Sequence, residues 1–343
     1  MVRQVVTLGE IMMRLKAPGH ERLLQTPHLE ATFGGGESNV AVSLAAFGEN
    51  VHHVTRLPDN ALGRACRAEM RRFGVATDYM SDGPGRMGLY FLEAGANQRA
   101  STVLYDRVDS AMALAKPGDL PWDQIFENAD WFHFSGITPA LSKRAAALTL
   151  EAVKAAVDRG VTVSCDFNHR AKLWRYGKTA PEVMNQLMPY VDVGIAGRDD
   201  CRKCLGPEFA VEETGSHWDP DAYAALTLKV LRTFPHMQQM AVTLRESITA
   251  DHHRWSACLR NQDGFHTCRT YEITRIVDRV GAGDAFSAGL IYGLHHFDDP
   301  GSALAFATAA GCLKHSVPGD VNRVSVAEVM HLMDGEGSAR VQR

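Results

Sequence analysis

Strand-like and helix-like segments alternate almost from one end of the chain to the other, and this limits the fold more than any other feature. Gln4 to Leu8 reads as a short buried strand. From Ser38, the apolar residues Val40, Leu44 and Phe47 recur at helical spacing until Gly48 stops the run; Cys66, Met70 and Phe73 repeat the pattern before Gly74. Leu150, Val153 and Val157 line one face of a helix ending near Gly160, and Val161 to Cys165, Val191 to Ile195 and Met240 to Leu244 read as further strands. A chain patterned this way hides its apolar faces by packing helices on a mainly parallel sheet. The prediction is therefore an α/β fold with ligands beyond the strand C-termini. Two stretches, about 12–33 and 86–107, carry extended segments punctuated by Gly or Pro in place of a crossover helix. With no linker-like stretch and no internal repeat, a single domain over residues 1–343 is expected, with a polar tail from Asp334 that frays.

Charge and apolar content exclude several classes of function. With 36 Lys+Arg against 40 Asp+Glu, the net charge of -4 provides no broad basic field, so nucleic acid is not an expected partner. No apolar run approaches the roughly 18–20 residues that span a bilayer, and Met1 to Glu10 lacks a basic-then-apolar leader pattern; a cytoplasmic protein is expected. The 7 cysteines lack disulfide-framework spacing and are expected to be reduced. Cys201-x-x-Cys204 has no second ligand pair, and the doublets His252-His253 and His295-His296 are expected as solvated or partly packed surface residues.

Chemistry enters with Asp278-Arg279-Val280-Gly281-Ala282-Gly283-Asp284-Ala285-Phe286-Ser287-Ala288-Gly289. Ile276 and Val277 read as a strand end and Ala285 to Leu294 as a helix, which puts the glycines at a helix N-terminus whose free N–H groups attract anions. Gly281 and Gly283 permit a tight turn and close approach to phosphoryl oxygens, and Asp284 follows where it can accept a proton from an attacking hydroxyl. No GxxxxGK[ST] occurs and the third glycine of the dinucleotide fingerprint is missing, so neither a P-loop nor a nicotinamide dehydrogenase site is indicated. Upstream, Phe33-Gly34-Gly35-Gly36-Glu37-Ser38-Asn39-Val40-Ala41 is a glycine-rich turn feeding a helix, with Ser38 or Asn39 placed to act as its N-cap.

The two segments, in this order, resemble the signatures of the PfkB, or ribokinase-like, carbohydrate kinases, and the resemblance extends over nearly the whole chain. It implies a three-layer α/β fold in which the two irregular stretches form a small β-sheet lid over the sugar site. It further implies Asp284 as catalytic base, Gly281, Ala282 and Gly283 as the anion hole, and Gly35 and Asn39 as sugar contacts. ATP, Mg²⁺, a monovalent cation such as K⁺ and a homo-oligomeric state come with the family.

Gly88-Leu89-Tyr90, Leu104-Tyr105-Asp106-Arg107, Ser135-Gly136-Ile137-Thr138-Pro139-Ala140 and Asp166-Phe167-Asn168-His169-Arg170 resemble 2-keto-3-deoxygluconate kinases within that family. Guanidinium groups bind carboxylates through paired N–H bonds, so Arg107 and Arg170 suit a sugar acid better than a neutral sugar, with Tyr90 and Tyr105 on its hydroxyl or keto groups. The expected reaction is ATP-dependent phosphorylation of the C6 hydroxyl. A kinase for fructose, ribose or another keto-deoxy acid is the alternative, as is a sugar-acid-binding protein with impaired catalysis. Thr243-Leu244-Arg245-Glu246-Ser247 stands where many members carry Thr-x-Gly, and Thr243 and Arg245 are assigned to phosphate, against a plain strand end with a surface salt link. Where members usually carry Asn-x-x-Glu, this chain has Gly197-Arg198-Asp199-Asp200, so Asp200 is left to hold the metal through water. Ala309 to His315 resembles a helix near the adenine, and Gly337 to Arg343 the ending of the same branch.

Overall fold

A computed structural model describes residues 4–211 and 218–335; the ending at Gly337 to Arg343 lies outside the described residues. Its strands are β1 (Gln4–Leu8), β2 (Met12–Lys16), β3 (Glu30–Gly34), β4 (Asn50–Pro58), β5 (Met80–Gly83), β6 (Gly88–Glu93) and β7 (Thr102–Asp106). They continue as β8 (Trp131–Ser135), β9 (Thr162–Asp166), β10 (Val193–Gly197), β11 (Gln239–Ser247), β12 (His253–Arg260), β13 (Phe265–Thr267) and β14 (Tyr271–Ile273). The large sheet runs β13-β12-β11-β10-β9-β8-β1-β4-β5, with β14 on β12. From β11 to β5 every pairing is parallel; β12 and its neighbours add an antiparallel edge.

Parallel strands covered on both faces have no solvent side and read as continuous buried runs, as β8 (Trp-Phe-His-Phe-Ser) does over its whole length. Some polar side chains in this interior are paired across strands, while Thr55 Oγ1 and both ring nitrogens of His253 are buried without a hydrogen-bond partner. Thr7 Oγ1 and His53 Nδ1 lie 2.7 Å apart, and Ser164 Oγ serves both His133 Nδ1 at 2.8 Å and Trp131 Nε1 at 2.7 Å. One apolar cluster joins one sheet face to the helices Lys143–Asp158, Ala180–Leu187 and Pro220–Thr233. A second joins the opposite face to Gly36–Ala46, Ala61–Arg72, Ala282–His296 and Pro300–Lys314. The result is the three-layer α/β arrangement expected from the alternation.

The two irregular stretches form a separate four-stranded sheet, β3-β2-β6-β7. Its inner residues Met12, Tyr90 and Leu92 pack with Val103, Tyr105 and Val280.

Several local expectations are corrected. Ile276 and Val277 are not a strand end: β14 stops at Ile273, Val277 is 56% exposed, and its N–H donates to the carbonyl of His315 (2.8 Å) instead of to a sheet ladder. Neither Ser38 nor Asn39 caps the first helix, whose N-cap is Gly35 with no side-chain cap bond. His253 is fully buried and not a surface residue, whereas His295 is partly packed as expected, its ring 5.0 Å from that of Trp131. Cys201 and Cys204 are buried free thiols in the helix Asp200–Leu205, and no group of three or more His, Cys, Asp or Glu is arranged to hold a metal among the described residues. Among those residues no helix is long and apolar enough to cross a membrane.

Candidate active site

The C-terminal ends of β1, β8, β9, β10 and β11 deliver polar residues to one edge of the large sheet, where the strand order reverses about β1. A cavity of about 420 Å³ opens there beneath the small sheet. The residues assigned to substrate, nucleotide, metal and catalysis all line it: Gly35, Asn39, Tyr90, Tyr105, Arg107 and Arg170, then Asp200, Thr243 and Arg245, and Gly281 to Asp284. A second cavity of about 400 Å³ adjoins it, with Arg198 and Arg245 common to both.

Gly281 adopts φ 83° and is the N-cap of the helix Ala282–His296, so this helix opens at the cavity with its first N–H groups unsatisfied by any side-chain cap. The two glycines serve different ends. A Cβ on Gly281 would overlap the carbonyl oxygen of Asp320, whereas a Cβ on Gly283 meets nothing within 4 Å. Gly281→Ala is therefore expected to lower the thermal midpoint. Gly283→Ala is expected to leave the midpoint unchanged or slightly raised, because Ala favours the helix by about 0.5–1 kcal/mol over Gly. If that cleared space receives phosphoryl oxygens, Gly283→Ala still loses turnover; stability and activity measured on the same preparations separate the two roles.

Asp284 sits in the first turn of that helix, and its Oδ2 accepts from Asn39 Nδ2 at 2.7 Å. Burial pushes its pKa up to about 6, against the opposing pull of the Asn39 bond and the Arg170 charge. A carboxylate so placed is a base that changes state just below neutral pH. Asp166 is raised well above the carboxylate range, by burial first and then by the negative charges of Asp200 and Asp284. Asp200 Oδ2 accepts from Gly197 N at 3.0 Å.

Three arginines face this acidic group. Burial first, then repulsion from Arg279 and Arg170, pushes the Arg245 guanidinium down to about 10, and burial together with Arg170 lowers Arg279. Arg245 lies 5.2 Å over the ring of Trp255, not in a surface salt link, and its buried Nε has no hydrogen-bond partner. Asp284 offsets this repulsion only in part, and cations that repel one another are suited to an incoming polyanion. Thr243 Oγ1 donates to the Ala196 carbonyl at 3.3 Å.

Arg107 is differently held. Glu10 takes its Nε at 2.7 Å and its Nη2, which leaves Nη1 for a ligand, while the other oxygen of Glu10 is buried without a partner. Tyr90 donates its hydroxyl to Asp320. Glu37 is fully buried, and one of its oxygens accepts from Ser135 Oγ (2.7 Å) and Thr138 Oγ1 (2.9 Å), fastening the glycine turn to the end of β8. Sequence reasoning gave no role to Glu10, Asp166, Asn168, Arg279 or Asp320, all of which line the cavity. One sign at Asn168 emerges only in the structure: its φ of 35° is a left-handed conformation that Asn tolerates, close to a functional edge. Ala309 to His315 are not among the lining residues described; Gly311 instead leaves room for the edge of Trp255, so the small residues there serve close packing.

Comparison with known proteins gives this geometry a family. A family model described as pfkB family carbohydrate kinase matches residues 2–326. The chain belongs to that family. It is thus a sugar kinase, with ATP and a metal ion implied by the family's reaction. Among pfkB relatives, the 2-dehydro-3-deoxygalactonokinase of Haloferax volcanii is 34% identical over 343 residues, 100% of both chains. The 2-dehydro-3-deoxygluconokinase of Bacillus subtilis is 27% identical over 94% of this chain and 93% of its own. A crystal structure of 2-dehydro-3-deoxygluconokinase from Thermotoga maritima superimposes with a TM-score of 0.91 at 45% identity, covering 98% of this chain and 99% of that one.

Proposed function

We propose that this pfkB kinase transfers the γ-phosphoryl group of ATP to the C6 hydroxyl of 2-keto-3-deoxygluconate, giving 2-keto-3-deoxy-6-phosphogluconate. The observation that carries the acceptor class is that Arg107 and Arg170 line the same cavity as Gly35, Asn39, Tyr90 and Tyr105. A neutral hexose offers these guanidinium groups no anion, and a sugar acid does. The relatives from Thermotoga maritima and Bacillus subtilis carry names consistent with this reading. The Haloferax volcanii relative favours the galactonate epimer as a second reading.

In this account the carboxylate of the acid meets Arg170 and the open Nη1 of Arg107, and Tyr90 and Tyr105 flank the chain of hydroxyls. Asp284 takes the proton of the C6 hydroxyl. The N–H groups opening the helix Ala282–His296 receive the charge that develops on the equatorial phosphoryl oxygens. The adjoining cavity accommodates the rest of the nucleotide, with Arg198 and Arg245 at the passage between the two. The small sheet would act as a lid that excludes water during transfer.

For Mg²⁺ the residues fit an outer role: Asp200 and Asp166 are carboxylates that repel one another across the cavity edge, and a hydrated divalent ion relieves that repulsion. When bound, the ion neutralises phosphate charge. Behind the glycines the carbonyls of Val317 (3.0 Å) and Asp278 (3.4 Å) face the buried ammonium of Lys314, which a monovalent cation held by those two oxygens would have to displace.

The test is ADP release measured over 2-keto-3-deoxygluconate, its galactonate epimer, fructose and ribose. The expected outcome is a preference of about 10²-fold or more in kcat/KM for a keto-deoxy acid over either neutral sugar. A neutral sugar as best acceptor would sink the carboxylate argument. Binding of the acid with no turnover at any Mg²⁺ concentration would favour the impaired binding protein.

A further inference from the structure

Arg14 is among the largest fully buried side chains of the protein, at 2% exposure, and it is charged. It sits on β2 directly opposite Tyr90 of β6, and its guanidinium leaves the small sheet to meet two carboxylates beneath. Nη2 donates to Asp278 Oδ2 at 2.5 Å and Nη1 to Asp320 Oδ1. The second oxygen of Asp320 accepts the hydroxyl of Tyr90. Asp278 also takes the N–H of Val280 (3.1 Å) and of Gly319 (3.2 Å), so it shapes the turn leading into Gly281. The Asp320 carbonyl lies against Gly281 itself. Lys314, fully buried beside the Asp278 carbonyl, balances the second negative charge.

Adhesion alone does not account for such a cluster, because replacing a buried ion group by apolar residues of similar volume is often neutral or stabilising. A guanidinium adds direction, since its planar fork fixes two N–H bonds at set angles and ties two carboxylates to one geometry. Tyr90 faces the cavity, and Arg14 does not. We propose that Arg14 is a positioning residue that holds the turn before Gly281 in register with the sugar side of the cavity, acting through Asp278 and through the Asp320 carboxylate it shares with Tyr90. A sugar acid pressing on Tyr90 is then felt at the phosphoryl-side glycines without touching them. The inference rests on the reading of Gly281 to Asp284 as the transfer site.

Arg14→Lys keeps the charge and loses the fork. Its kcat per folded molecule is expected to fall about 10- to 100-fold, the scale of a small misplacement of reacting groups, while KM for acid and for ATP stays within about threefold. Because Tyr90 acts through the same carboxylate, Arg14→Lys combined with Tyr90→Phe is expected to lose no more kcat than the worse single variant. A normal kcat in Arg14→Lys, or losses that multiply in the double variant, overturns the proposal. Should Arg14→Lys fail to fold, Asp320→Asn is measured the same way, and a normal kcat there overturns it equally. Asp284→Asn run alongside separates the two readings: retained turnover removes the transfer-site assignment itself, whereas lost turnover with a normal Arg14→Lys removes only the coupling.

Discussion

Asp284→Asn is expected to lower kcat by about 10²–10⁴-fold, the range associated with a positioned general base. Asn keeps an oxygen for the Asn39 Nδ2 bond, so the fold and the binding of sugar acid should survive while proton removal is lost. The same group sets the pH response. Because burial raises the Asp284 pKa to about 6, kcat/KM is expected to drop tenfold per unit as pH falls below that value. Stability runs in the opposite sense. A carboxyl whose folded pKa exceeds its unfolded value binds more protons when folded, so its contribution to stability declines as pH rises from about 4 through 6. At pH 8 the Asn variant should therefore melt slightly above the parent, and near pH 4 at the same temperature. Turnover within threefold of the parent, in a pH series with thermal melts beside it, would remove Asp284 as base.

Arg170→Met carries the second large effect. Arg170 is an exposed residue at the cavity wall with no carboxylate paired to it among the described residues, unlike Arg107, which Glu10 already holds. Removing it takes away a cation that a sugar-acid carboxylate would otherwise meet and breaks no ion pair described, though it also removes a charge that holds down the pKa of the buried Asp284. A loss of about 10²-fold in kcat/KM for the keto-deoxy acid is expected, with thermal stability unchanged, since charge-assisted bonds contribute about 1.5–3 kcal/mol each. Neutral sugars, already poor acceptors, should lose far less. Equal losses for acid and neutral substrates would reassign Arg170 to the phosphate side, where it already acts electrostatically on Arg245 and Arg279.

Local patterns made the layers and the cavity wall readable. Apolar spacing marks β1, β9, β10 and β11, and the Gly-rich turn before Asn39 and the Gly-x-Gly-Asp run announce themselves within a few residues. What was hidden depends on distance along the chain. Arg14 meets Asp278 and Asp320 across 264 and 306 residues, and no window of sequence carries that information. Glu10 was overlooked because one acidic residue after a strand looks the same whether solvated or buried against Arg107. The turn before Gly281 imitates a strand because Ile276 and Val277 are β-branched, yet its backbone partners are the end of one helix and a distant loop, at His315 and Asp251.

The histidines inside the protein give the fold a chemical habitat. Burial pushes His53, His133 and His315 down to about 3 and His253 to about 4, so all four remain neutral when folded and become protonated once the chain opens. Below the ordinary histidine value the unfolded chain binds the extra protons, and each group withdraws about 1.4 kcal/mol of stability per pH unit until its folded pKa is reached. Several such groups acting together make acid tolerance a property of the central layers more than of the surface. The acidity that begins to silence Asp284 thus overlaps the acidity at which these buried histidines begin to withdraw stability from the layers beneath it.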